Sequence, residues 1–160
     1  MIKASKIAVK QSWNLSMHST VKVDLGKDSY DIIVSDNFVE SIENFSKKSL
    51  SKCMLITQKV IYQSFEEKFA ILESLSNVEI HFIDQGEEAK SIETTIDICN
   101  KMAMMQYDRS STIFAVGGGV VGDVAGFVAS IFMRGINYVQ YPTTLLAMLD
   151  SSIGGKTGVN

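Results

Sequence analysis

The feature that most restricts the fold is an alternation between short, mostly apolar runs and longer segments with helical spacing. Cys53 to Thr57, Val78 to Ile83, Thr112 to Val116 and Tyr138 to Tyr141 are the short runs. Each reads as a strand; the fully apolar Cys53 to Thr57 suits burial on both faces, and Thr112 to Val116 is a further buried strand. Between them, Val60 to Leu75 reads as one helix and Val120 to Met133 as another. Ser91 can cap a third, with Ile92, Thr95, Ile96, Cys99, Met102 and Ala103 on one face. From Thr143 onward a further helix begins. Strands alternating with helices predict right-handed β-α-β units around a parallel sheet.

A different rhythm precedes these units. Val21 to Leu25 alternates apolar and polar residues, Gly26 to Ser29 has turn chemistry, and Tyr30 to Val34 is a second strand. Asn37 to Lys48 has helical spacing at Phe38, Ile42 and Phe45. Residues 1–16 are mildly basic, lack the apolar core of a secretory signal and are expected to be a disordered leader. Residues 17–160 then form one domain. The expected class is α/β: a Rossmann-like parallel sheet with helices on both faces, preceded by an N-terminal β-hairpin. Ligands of such sheets bind beyond the carboxyl ends of the strands. That points to Thr57-Gln58, Asp84 to Lys90, Gly117 to Asp123 and Pro142 to Thr144.

Bulk chemistry excludes some functions. A net charge of -3 offers no basic surface for nucleic acid or anionic lipid. There is no apolar run of about 20 residues, the length that spans a bilayer. Cys53 and Cys99 belong to no C-x-x-C pair and read as buried thiols of a reducing cytoplasm. His18 in the leader and His81 in a strand form no credible metal pair, so no metal ligand is assigned in this chain.

Three segments carry chemistry. Gly117-Gly118-Gly119-Val120-Val121-Gly122-Asp123 follows a strand and opens a helix. Glycines admit close backbone approach, and a helix N-terminus offers N–H groups and partial positive charge to a phosphate. Gly117-x-Gly119-x-x-Gly122 matches the dinucleotide fingerprint formally, but it follows the third parallel strand and no acid stands about 20 residues on. The alternative for Gly122, Gly126 and Ser130, four apart, is a small-residue packing face. Asp123 either complements the helix dipole or accepts from a ribose or amide. Gly154-Gly155-Lys156-Thr157 resembles the tail of a P-loop, but Asp150 stands where that motif needs glycine. The lysine then serves an anionic ligand or is an ordinary solvated loop lysine. In Gly86-Glu87-Glu88-Ala89-Lys90, Glu87 can meet ribose hydroxyls and Lys90 a phosphate or carbonyl; the alternative is a solvated charge pair.

Together these segments resemble the 3-dehydroquinate synthases. The resemblance rests on Gly86-Glu87-x-x-Lys90, Asp108-Arg109, the run from Gly117 to Ser130, Arg134-Gly135-Ile136, Pro142-Thr143-Thr144-Leu145-Leu146-Ala147, and Asp150 to Asn160, in that order. It implies NAD- and metal-dependent conversion of 3-deoxy-D-arabino-heptulosonate 7-phosphate to 3-dehydroquinate and phosphate in the shikimate pathway. It implies NAD at Glu87, Lys90, Gly118, Gly119, Val120, Asp123, Thr143 and Thr144. It places Asp150 and Lys156 toward substrate and nicotinamide. Arg134 reaches the substrate phosphate of a neighbouring subunit in a homodimer, a task suited to a planar guanidinium. The divalent metal, zinc or cobalt, would be held by a glutamate and two histidines of a C-terminal helical domain absent from this chain. This chain is then the cofactor-binding part, inactive alone, with an exposed apolar edge where that domain docks. Thr57-Gln58 departs from the acids or amides that hold the adenosine ribose in the family. Two other readings use the same residues: a related sugar-phosphate cyclase, and a non-catalytic nucleotide-binding remnant.

Overall fold

The computed structural model describes residues 8–9, 19–26, 29–35, 37–48 and 51–160. His18 and the expected leader apart from residues 8–9 lie outside them. Ala8–Val9, inside that leader, forms a short strand, β1. The hairpin is present: β2 (Ser19–Val23) pairs antiparallel with β3 (Tyr30–Ser35), from Ser19 opposite Val34 to Val23 opposite Tyr30. β1 lies parallel on the other side of β3. Gly26 has φ +64° at the turn, and the Ser29 hydroxyl donates to its carbonyl at 2.6 Å.

A second sheet holds β4 (Cys53–Gln58), β5 (Val78–Ile83), β6 (Thr112–Gly117) and β7 (Asn137–Pro142), all parallel, in the order β5-β4-β6-β7. Strand pleating sends alternate side chains to opposite faces. Met54, Ile56, Ile113, Ala115 and Tyr138 pack beneath α4 (Ile92–Met104) and α5 (Gly119–Ile131). Cys53, Leu55, Phe114, Val116, Val139 and Tyr141 pack on the other face with α1 (Phe38–Lys48) and α3 (Glu66–Glu73). Both faces are therefore covered, as the apolar runs require. No described helix is long and apolar enough to cross a membrane.

Three expectations need correction. The helix read from Val60 to Leu75 is two helices, α2 (Lys59–Ser64) and α3, broken at Phe65 with φ -133°. The Ser64 hydroxyl donates to the Val60 carbonyl at 2.8 Å, a back-bond that bends helices. The buried face of α4 is Thr95, Ile98 and Met102, whereas Ile92 and Ile96 are 43% and 51% exposed. Apolar residues surround this helix, and only its docking on the sheet selects the inner stripe. Finally, α5 stops at Ile131, and Met133 and Arg134 take φ of +49° and +66° in the turn that follows. The segment after Thr143 begins helically and becomes a π-turn at Ala147–Ser151. Leu145, Leu146 and Leu149 on it are 69%, 76% and 70% exposed.

Burial also sets the alkaline limit of stability. It raises the hydroxyl pKa of Tyr107, Tyr138 and Tyr141, and pushes the Cys53 thiol from 9.0 up to about 11. These groups hold their protons more tightly folded than unfolded. Their stabilisation is intact below the unfolded pKa and is lost as pH rises through the folded value. The urea midpoint should hold steady from pH 7 to about pH 9 and fall beyond it. A midpoint unchanged at pH 11 would contradict the burial of these groups.

Candidate functional site

The strand order decides where a ligand can enter. The chain steps from β4 outward to β5, then crosses back past β4 to β6. The reversal lies between β4 and β6, and crevices at such switch points bind ligands. The carboxyl end of β6 is the glycine turn. The third parallel strand is thus the correct place for it in this order.

Gly117, Gly118 and Gly119 serve different purposes. A Cβ at Gly117 would overlap the Val121 side chain, so this glycine lets α5 close onto β6. Gly118, the N-cap of α5, has φ -77° and ψ -166°, which any residue can adopt. Its role is space, because a Cβ there would reach 3.3 Å from Thr144 Cγ2. A Cβ on Gly119 would stand 3.8 Å from Ser151 Oγ. The Ser151 hydroxyl is buried and has no hydrogen-bond partner among the described residues. The Thr143 N–H donates to the Gly117 carbonyl at 2.9 Å, drawing the Pro-Thr-Thr turn against the glycine turn. Thr144 Oγ1 accepts from the Ala147 N–H at 3.2 Å and starts the next helical segment. Gly122 N–H bonds to the Gly118 carbonyl at 3.1 Å, so the N–H groups of Gly119, Val120 and Val121 precede the first helical bond. With the helix dipole, they form a cradle for an anion. Val120 is half-buried and leans on the core.

Lys90 stands beside this cradle. The Gly86 turn, at φ +89°, carries the chain from β5 into a short 3-10 turn, Glu87–Ala89. Lys90 Nζ then lies 2.9 Å from Asp123 Oδ2 and 3.4 Å from Glu87 Oε1. The Asp123 hydrogen bond holds the Lys90 pKa above its ordinary value, against the effect of burial. Glu87 is exposed, while the Lys90 and Asp123 side chains are only 22% and 19% exposed. Glu87, Lys90, Gly118, Gly119, Val120, Asp123, Thr143 and Thr144 are thus gathered around the start of α5.

Asp150 is the penultimate residue of the π-turn, just before Ser151, and exposed Lys156 follows Gly154 and Gly155, at φ +90° and +77°. Gly154 N–H donates to the Tyr30 hydroxyl at 3.1 Å, tying this loop to the hairpin. Arg134 is not brought to the cradle. It is exposed beyond the far end of α5, roughly 20 Å along the helix axis. Gln58 donates its amide to the Asp84 carbonyl at 2.9 Å and so bridges two strand ends. Tyr30 carries no local mark of this contact, because its partner is 124 positions away. Ser151 lies within the Asp150 to Asn160 run, and its buried hydroxyl, without a partner among the described residues, singles it out. Among the described residues no three His, Cys, Asp or Glu side chains converge to hold a metal. Burial lowers the His81 pKa, and Lys101 reinforces this.

Known proteins share this arrangement. The family described as 3-dehydroquinate synthase N-terminal matches residues 80–160. A 3-dehydroquinate synthase of Ruminiclostridium cellulolyticum is 43% identical over 141 residues, 86% of this chain and 39% of that protein. One from Picosynechococcus is 40% identical over 150 residues, 90% of this chain and 40% of that protein. The chain spans about two fifths of the length of these curated relatives. A crystal structure of 2-deoxy-scyllo-inosose synthase complexed with carbaglucose-6-phosphate, NAD+ and Co2+ superposes with a TM-score of 0.77 at 27% identity, covering 89% of this chain and 40% of that one. The 2-epi-5-epi-valiolone synthase of Streptomyces hygroscopicus with NAD+ and Zn2+ gives 0.67 at 32%, covering 92% and 40%. The family match takes in the Lys90 turn, the glycine turn and the Gly-Lys-Thr loop, the same segments that the fold gathers around α5, and the chain belongs to the 3-dehydroquinate synthase N-terminal family.

Proposed function

We propose that this chain is the NAD-binding part of a 3-dehydroquinate synthase, the enzyme that forms 3-dehydroquinate and phosphate from 3-deoxy-D-arabino-heptulosonate 7-phosphate. The reading is carried by one juxtaposition. At the start of α5, an open glycine floor, a Ser151 hydroxyl without a partner among the described residues and the Lys90–Asp123 pair stand together. The cradle fits a dinucleotide pyrophosphate: its N–H donors are free of helical partners and its floor has no Cβ. When bound, NAD supplies reversible oxidation of a substrate carbinol. The chain's own residues bind and orient it. The N–H groups of Gly119 and Val120 face the pyrophosphate, and Lys90 adds positive charge beside it. Asp123 holds Lys90 in place and offers an oxygen to a ribose or amide N–H or O–H. Glu87 accepts from ribose hydroxyls, and its charge disfavours a 2′-phosphate. Thr143 and Thr144 close the floor. Asp150 and Lys156 face substrate and nicotinamide, and Arg134, too distant for the same cradle, serves the substrate phosphate of a second subunit in a homodimer.

The described residues do not fit a metal, so the zinc or cobalt ligands implied by the family lie outside them. A second reading, a related sugar-phosphate cyclase, is favoured by the structural likeness to 2-deoxy-scyllo-inosose synthase. The higher identity to 3-dehydroquinate synthases, 43% against 27%, favours the first. Calorimetric titration of the purified chain with NAD+ and NADP+ tests the cofactor assignment. Saturable one-to-one binding of NAD+, stronger than that of NADP+, is expected. A Kd of about 1 mM still represents about 4 kcal/mol and gives a measurable response. No response to NAD+ at several times that concentration would sink the assignment.

A further inference from the structure

We propose that Thr157 is a positioning residue for the cofactor site, its methyl group latching the strap of residues 154–160 into a notch that Gly126 leaves on α5. The inference rests on the NAD reading above. The strap leaves the Ser151 turn through Gly154 and Gly155, whose φ of +90° and +77° make this a glycine joint. Nothing stands within 4 Å of a Cβ at either position, so at the joint itself the Gly154 N–H bond to the Tyr30 hydroxyl is the tie rather than side-chain packing. Side-chain packing comes further along. A Cβ on Gly126 would overlap Thr157 Cγ2 and lie 3.4 Å from Tyr138 Cζ, so the Thr157 methyl occupies the place of the missing side chain. Val159 then packs on the core beneath α4 and α5. Asn160 N–H donates to the Lys90 carbonyl at 2.9 Å.

The consequence is a mechanical link between two lysines that local sequence leaves unrelated. Lys156 is the residue before the latched methyl, and Lys90 carries the carbonyl at which the strap ends. Asp123, which pairs with Lys90, lies on α5 less than one turn before the notch. Seating Thr157 thus fixes the backbone of Lys156 and the loop of Lys90 against the same helix.

The methyl, not the hydroxyl, is the operative group, and this separates the proposal from a general structural role. Thr157→Ser removes the methyl, while Thr157→Val keeps it. Thr157→Ser should weaken NAD+ binding about fourfold, the scale of one buried methyl, and speed amide exchange at Asn160 by a similar factor. Thr157→Val should match the wild type in both. Gly126→Ala should weaken binding at least as much as Thr157→Ser. Combining it with Thr157→Ser, which moves the methyl from one partner to the other, should recover most of the loss. If the wild type binds NAD+ and Thr157→Ser leaves affinity and Asn160 exchange unchanged, the latch is wrong. It is equally wrong if Thr157→Val falls as far as Thr157→Ser. If the wild type does not bind NAD+, the cofactor reading fails, and Asn160 exchange in the same variants still decides whether the strap is latched.

Discussion

Replacing Gly122 with valine is expected to prevent folding, and Gly122→Ala to lower stability by about 2–3 kcal/mol. Gly122 faces Gln140 of β7, and a Cβ there would overlap the Gln140 amide nitrogen and come within 3.0 Å of its Cδ. The end of a glutamine side chain ordinarily yields to such an intrusion. Here it has nowhere to go, because Gln140 is 1% exposed and sits among the residues of a packed layer. Nor can α5 lift away. The buried Tyr138 hydroxyl donates to the Gly122 carbonyl at 2.8 Å, and Val121, Val124 and Ala125 on the same helix are fully buried. Valine adds two methyl groups to the same overlap, against a total stability of about 5–15 kcal/mol for a domain. Urea unfolding followed by circular dichroism measures both variants. Gln140→Ala should restore part of the loss in the Gly122→Ala background, because the side chain in the way is gone. Both Gln140 amide atoms lack partners among the described residues, so its removal sacrifices no hydrogen bond there. A Gly122→Val protein with a wild-type midpoint would show that the helix and β7 do not meet as described.

Lys90→Met should weaken NAD+ binding about 10- to 100-fold, while leaving the chain folded. A charge-assisted hydrogen bond to a ligand contributes about 1.5–3 kcal/mol, which sets that range. Methionine keeps the length and apolar stem, so lost packing contributes little. The side effect falls on Asp123, whose carboxylate loses its cation while only 19% exposed. A stability loss of about 1–3 kcal/mol is expected from that stranded charge. Asp123→Asn retains an acceptor for Lys90 and should reduce binding less than Lys90→Met. The pair's contribution has a definite pH window. Because Asp123 raises the Lys90 pKa, the stabilisation is complete below the ordinary value of 10.5 and is lost as pH rises through the folded value. Calorimetry at pH 7 with both variants checks the order. Undiminished NAD+ binding by Lys90→Met would remove Lys90 from the cofactor site and leave it a structural partner of Asp123.

Strands were legible because burial on both faces leaves a local mark. Cys53, Met54, Leu55 and Ile56 are consecutive and apolar, and all four are 0% exposed between two helical layers. The inner face of α4 was not legible, because apolar Ile92 and Ile96 compete with Ile98 and the sequence does not say which side the sheet will occupy. The break at Phe65 was hidden for a related reason. The apolar stripe there continues without interruption, and the bend comes from a hydroxyl back-bond that spacing does not reveal.

The candidate site divides along the same line. Gly86, Gly154 and Gly155 adopt positive φ, a demand the local chain makes by itself and glycine meets at little cost. Ser91 caps α4 with a local bond, its oxygen accepting from the Thr94 N–H at 3.2 Å. The segments that mark the family are contiguous, and so could be read from residue order alone. Local order alone therefore specifies the four buried strands, the hairpin and the glycine turns, because each depends on neighbours within a few positions. Long-range packing sets how Gly117, Gly122 and Gly126 are used, as surfaces against Val121, Gln140 and Thr157. It also decided the strand order that puts the glycine turn at the switch point, the pairing of Lys90 with Asp123, and the isolation of Arg134. Those outcomes depend on contacts between distant residues, and local spacing carries no record of which strand lies beside which.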